Sequence, residues 1–151
     1  MEYEDIVNEF CEQAGISDPT SIAEGEFLEI DDVTFKFEYI AEMGCLQLHI
    51  ELGELPGEVD DIVQAAMLQF NYRNDLRNAF YCIDPDSDSV FISYYLTDDM
   101  LKRANGLFFF VQSEVNRIAS EWRKFLESIV DAEDHSTGFG HGESTAGGKF
   151  V

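Results

Sequence analysis

Two apolar segments, A-F-Y-C-I from Ala79 and V-F-I-S-Y-Y-L to Leu96, flank the turn D-P-D-S-D-S and constrain this chain more than any other feature. A hairpin in a small sheet ordinarily needs only one apolar face. Here neither segment has a polar side. In the first, Phe80 and Cys82 point one way while Ala79, Tyr81 and Ile83 point the other. In the second, Val90, Ile92, Tyr94 and Leu96 alternate with Phe91, Ser93 and Tyr95. The second face must meet another layer of this chain or another chain. Burial in a subunit or partner interface is therefore expected for Tyr81, Ile83, Phe91 and Tyr95.

Ahead of the hairpin, G-E-L-P leads into a helical pattern that runs to about Tyr72. Val59, Ile62, Val63, Ala66, Met67 and Phe70 recur with the period of one buried helix face. Pro56 suits the first turn, and Glu58, Asp60 and Asp61 complement the positive end of the helix dipole.

Earlier still, residues 2 to about 14 form an amphipathic helix pattern, with Ile6, Val7, Phe10, Cys11 and Ala14 on one side and Gly15 as its stop. A loop is expected through Asp18-Pro19-Thr20 to Gly25. Three strands follow. The first spans Glu26 to Ile30. The second, Val33 to Ala41, sets Val33, Phe35, Phe37 and Tyr39 against Thr34, Lys36 and Glu38. The third, Cys45 to Leu52, sets Leu46, Leu48, Ile50 and Leu52 against Gln47, His49 and Glu51. Their connections are too short for crossovers, so the pairing is antiparallel. After the hairpin a long helix starts at the N-cap Thr97 and carries apolar residues through Trp122 to Ile129. Asn105-Gly106 is placed to bend or break it, and Phe108-Phe109-Phe110 wraps more than one of its faces.

The order α-β-β-β-α-β-β-α predicts an α+β domain: a twisted antiparallel sheet with helices mainly on one face. Residues 1–130 form that domain, and 131–151 are expected to be a flexible Gly-rich acidic tail. At 151 residues and 45% hydrophobic content the domain has a core of its own.

The formal charge of −22 is uneven, because Lys36 is the lone base between Met1 and Asp61. Such a field repels phosphate backbones, so neither nucleic acid nor an anionic membrane is an expected partner. It favours basic polypeptides, and it also serves plain solubility. No apolar run has the roughly 20 residues of a membrane helix, and the M-E-Y-E-D start has no signal character, so a cytoplasmic location is expected. Cys11, Cys45 and Cys82 sit in apolar patterns and read as free thiols.

Catalytic and metal signatures are weak. Asp84, Asp86 and Asp88 alternate like the start of a calcium loop, yet Ser89 and Tyr95 stand where that loop needs Gly and Glu. A solvated turn is the simpler reading. His135 and His141 lie in a Gly-rich tail without Cys or acid partners at ligand spacing, and His49 is on the outward side of its strand. Phosphate-loop, dinucleotide, nucleophile-elbow and zincin motifs are missing from the sequence. No enzyme is expected, and no cofactor or metal.

Four strings, in order, resemble the class I type III secretion chaperones, the Tir chaperone family. They are G-E-L-P at Gly53; A-A-M-L-Q-F-N ending at Asn71; A-F-Y-C-I-D-P-D-S-D-S-V-F-I-S-Y-Y-L; and S-E-W-R-K-F-L around Trp122. The resemblance covers about Tyr3 to Ile129, while Arg73, Arg77 and the long tail fall outside it. It implies a homodimer joined through the central helix and the following strand, around Met67, Phe70, Tyr72, Phe80, Tyr81 and Cys82. It also implies a partner, the N-terminal segment of a secreted effector, bound in extended form without ATP or cofactor. Grooves for that segment are expected between the first helix (Ile6, Phe10) and the first strands (Phe27, Leu28, Phe35, Phe37). The alternative is a chaperone-like regulator that sequesters another small regulatory protein of the secretion system.

Overall fold

The computed structural model describes residues 2–58, 60–73 and 78–139, with side chains omitted for 130 and 132–139. Its elements are α1 (Tyr3–Ala14), α2 (Pro19–Ala23), β1 (Leu28–Ile30), β2 (Val33–Ile40), β3 (Cys45–Glu54), α3 (Asp60–Arg73), β4 (Ala79–Ile83), β5 (Ser89–Leu96), α4 (Asp98–Arg103) and α5 (Leu107–Phe139). The fold is α+β, with one antiparallel sheet ordered β1-β2-β3-β5-β4.

Strand alternation fixes which face is core. Leu46, Leu48 and Ile50 of β3 stand opposite Leu96, Tyr94 and Ile92 of β5, and Phe35 and Phe37 of β2 oppose Ile50 and Leu48. All of these side chains are buried, under Val7 and Phe10 of α1 and Val111 and Ile118 of α5. A smaller cluster of Val63, Met67, Val90, Trp122 and Ile129 joins α3 to the far half of α5. Tyr94 bonds α5 to the sheet, because its hydroxyl donates to Glu114 Oε2 at 2.7 Å while Arg117 clamps the same carboxylate. Burial first, and that bond second, hold the Tyr94 phenol far above its ordinary value.

Several local features depart from the sequence reading. The segment expected as a loop holds α2, capped by Asp18 Oδ1 accepting from Thr20 N–H at 3.0 Å and opened by Pro19. The last helix does break where a bend or break is expected, at Asn105 (φ 60°) and Gly106 (φ 108°), between α4 and α5. Asp31 and Asp32, at φ 52° and 64°, form the two-residue turn between the paired residues Ile30 and Val33. Positive φ at both central residues marks a type I′ hairpin turn. The D-P-D-S-D-S segment is a turn, in which Asp84 Oδ1 accepts from Asp86 N–H and Asp84 Oδ2 from Ser87 Oγ–H. α5 is helical to Phe139, past the Asp131 where the tail is expected to begin. Residues 140–151, with His141, lie outside the described residues, as does the side chain of His135.

Strand order decides the fate of the hairpin. After β3 the chain crosses through α3, lays down β4 at the sheet edge, and returns with β5 between β3 and β4. β5 is thus an interior strand, and Ser89 through Tyr94 and Leu96 are buried. Its second face is partly covered from within this chain: Phe91 by Phe27, and Tyr95 by Phe80. That corrects the expectation that Tyr81, Ile83, Phe91 and Tyr95 share a surplus face. Tyr81 stands opposite Ile92 and Ile83 opposite Val90 on the helix side, whereas Phe91 pairs with Cys82 on the other side.

Candidate functional site

The two edges of the sheet are unlike. At β4, Asn71 on α3 mimics a neighbouring strand: its Nδ2 donates to the Tyr81 carbonyl at 2.9 Å, and its Oδ1 accepts from Tyr81 N–H at 2.8 Å. A strand edge left open invites pairing with other chains, and this one is closed at its middle residue. β1, the opposite edge, has β2 as its one strand partner among the described residues. Replacing Asn71 with Ala removes both bonds and leaves a half-buried peptide group unpaired. The expected loss is about 2 kcal/mol, read as a lower urea midpoint with an unchanged m value.

Two open grooves flank α1. One, of about 230 Å³, runs between α1, the β1–β2 turn and α5. Phe10, Phe35, Phe108, Val111 and Val115 line it apolarly, while Asp31, Gln112 and Asn116 contribute the polar lining. The other, of about 270 Å³, opens at the α4–α5 break, with Ile6, Leu101 and Leu107 among Glu9, Asp98, Lys102 and Asn105.

The six residues expected to contact a client separate accordingly. Ile6 lines the second groove, and Phe10 and Phe35 line the first. Leu28 is half-buried against the core. Phe37 lines neither groove and is sealed beneath them, its ring 5.0 Å from that of Phe10. Phe27 lies on the opposite face of the sheet, against Phe91. The reason is the two-residue period of a strand: neighbours Phe27 and Leu28 cannot share a face. What the sequence reading missed is the α5 wall of Phe108, Val111 and Val115. The surplus apolar surface noted at Phe108-Phe109-Phe110 was its visible trace.

The residues expected at a dimer interface divide as well. Met67 is buried in the smaller core, and Tyr81 is wedged between Phe70 at 4.7 Å and Trp122 at 5.7 Å between ring centroids. Phe70, Phe80 and Cys82 are half-buried, and only Tyr72 is open, at 92% exposure. Outside its buried face α3 instead exposes Ile62 (41%), Leu68 (70%) and Tyr72. Leu68 also overhangs a cavity beside β4, lined by Met67, Asn71 and Cys82. Leu68 and Tyr72, one turn apart, leave an adjacent pair of large apolar side chains open on one helix, which makes it a candidate contact surface.

No family model matches this chain, and no curated protein does. Among solved structures, one chain of the crystal structure of the ExsC-ExsE complex has the same fold, with a TM-score of 0.60 at 15% identity, covering 80% of this chain and 90% of that one. Among the described residues no helix is long and apolar enough to cross a membrane.

Proposed function

We propose that this protein is a homodimeric cytoplasmic secretion chaperone that binds the N-terminal segment of a type III effector in extended form, keeping it soluble, without catalysis or cofactor. The observation that carries this reading is the pair of apolar-lined grooves on either side of α1, beside an edge strand with one free side. An extended polypeptide can add to such an edge and drop side chains into adjoining grooves. The solved chain of like fold comes from a complex of two proteins, which agrees with a role in holding a polypeptide. The open pair Leu68 and Tyr72 on α3 would join the two subunits. Sequestration of a small regulatory protein would use the same surface, and the identity of the co-purified partner separates the two.

The test is co-expression with a candidate effector followed by limited proteolysis, which should leave the effector's N-terminal segment protected. Gln112→Trp fills the first groove from an exposed position without touching the core. It is expected to abolish protection while thermal stability stays within about 0.5 kcal/mol of the parent. An effector equally protected by this variant would move the binding surface elsewhere.

A further inference from the structure

The face of the sheet turned away from the helices carries a chain of polar contacts across four strands. On β2, Lys36 Nζ donates to Glu38 Oε1 at 2.7 Å. The second oxygen of Glu38 lies 3.7 Å from His49 Nε2 on β3. His49 Nδ1 meets Ser93 Oγ on β5 at 2.6 Å, and Ser93 Oγ is 3.3 Å from Cys82 Sγ on β4. Ser93 is fully buried. The chain borders a cavity of about 150 Å³ that Phe27, Lys36, His49, Cys82, Asp84 and Phe91 help to line. Phe27, the residue just before β1, reaches across to Phe91 with Lys36 Nζ 5.2 Å from its ring centroid.

Two features of this arrangement respond to a proton. Glu38 lies between two bases: Lys36 holds Oε1, while the neutral imidazole, whose proton is then on Nε2, turns only an uncharged donor toward Oε2 at 3.7 Å. An imidazolium makes that contact a charged one and sets a second positive charge beside Lys36, whose long stem lets its ammonium swing out to water. The Ser93 link can also reverse. With His49 neutral, Nδ1 accepts from Ser93 O–H, and Cys82 S–H donates to Ser93. With His49 charged, Nδ1–H donates to Ser93, and Ser93 O–H turns to Cys82. Protonation therefore orphans no buried group, and its effect falls on Glu38 and Lys36.

We propose that His49 is a proton-operated clasp on this face: its protonation draws Glu38 from Lys36, frees Lys36 from the Phe27 ring and loosens the edge strand β1 that Phe27 leads into. Regulation of client binding through β1 would rest on the chaperone reading above; the clasp itself does not. The charged groups facing His49 are Lys36 and Glu38 of β2, Asp84 beyond β4 and Glu51 on its own strand. Burial first, with Lys36 adding and Glu38 opposing, holds His49 below the ordinary imidazole value. The closed state thus prefers neutral His49. Its contribution is whole above an ordinary imidazole pKa near ~6.5, and it is lost as pH falls from there through the lowered value. Glu38, held below the ordinary carboxylate range chiefly by its bond to Lys36, stays charged through that window.

The experiment uses the free full chain and needs no client. The His49 ring is titrated by NMR, and amide exchange at Leu28–Ile30 is measured from pH 7.5 to 5.5, corrected for intrinsic rates. The expected loss of protection on acidification is about tenfold for each unit by which His49 titrates below a free imidazole. His49→Gln should abolish that loss. Lys36→Met, which keeps the stem and removes the charge, should raise the His49 titration and uncouple Phe27 from pH even if His49→Gln fails to fold. An ordinary His49 titration, pH-independent protection of β1, or a full response persisting in Lys36→Met would each overturn the clasp. If the clasp holds while effector protection fails, the chaperone reading alone is lost.

Discussion

Replacing Leu68 and Tyr72 together with Asp is expected to convert a dimer of this chain into a folded monomer. Both side chains are open on α3, at 70% and 92% exposure, so neither supports the subunit's own core. Burying a large apolar side chain is worth about 1.5 kcal/mol or more. In a twofold interface every contact residue acts twice, so four such side chains would vanish at once. At tenfold per 1.4 kcal/mol, that is a dissociation constant raised roughly 10⁴-fold. Two new carboxylates on each chain, already at −22, add repulsion on top. Sedimentation should show monomer, with circular dichroism and melting temperature close to those of the parent. A dimer that survives both substitutions would place the interface away from α3. Tyr81→Asp, which the sequence alone suggests for this purpose, reports something else. Its ring fills the space between Phe70 and Trp122, so it would unfold the smaller core before testing any interface.

That contrast marks where the sequence was legible. Alternation told inside from outside along β2 and β3, because each strand has one polar and one apolar side and a one-residue slip would invert them. Leu46, Leu48 and Ile50 are buried as that pattern requires. Along β4 and β5 both sides are apolar, so alternation separates two faces without saying what covers either. The answer lies in the strand order, which places β5 between β3 and β4, and in the register that sets Tyr81 across from Ile92. Those pairings are long-range and leave no local trace. The hairpin's second face is therefore partly covered within the subunit, by Phe27 against Phe91 and by Phe80 and Tyr95 against each other.

For α3 the difficulty was different. A 3.6-residue period groups Val63, Ala66, Met67 and Phe70 on one face, and Val63 and Met67 are buried there. Leu68 and Tyr72 fall off that face and lie open, and of the two the sequence reading names only Tyr72. The value of Asn71 was likewise hidden, since closing β4 depends on an edge ten residues further along. α2 had its full start signal, Asp18-Pro19-Thr20. A helix of five residues is simply too short to show a period.

Phe37→Ala is expected to cost about 3–5 kcal/mol of folding free energy. Phe37 is fully buried, and its ring makes edge contacts to Phe10 at 5.0 Å and Phe35 at 5.6 Å. Removing it leaves a cavity whose walls belong to β2 and α1, two elements that cannot both move inward without breaking the β2–β3 register. Phe27→Ala is the control from the same expected set. Its side chain is 52% exposed on the other face, and its contacts with Phe91 and Lys36 are worth about 1–1.5 kcal/mol at most. Urea denaturation of the two variants should differ by at least about 1.5 kcal/mol. At the low end of a typical domain stability of about 5–15 kcal/mol, the first loss leaves a substantial unfolded population and the second does not. A failure of Phe37→Ala to hold a client would therefore reflect lost fold rather than lost contact. Comparable stability in the two variants would instead mean that Phe37 contributes little to the core.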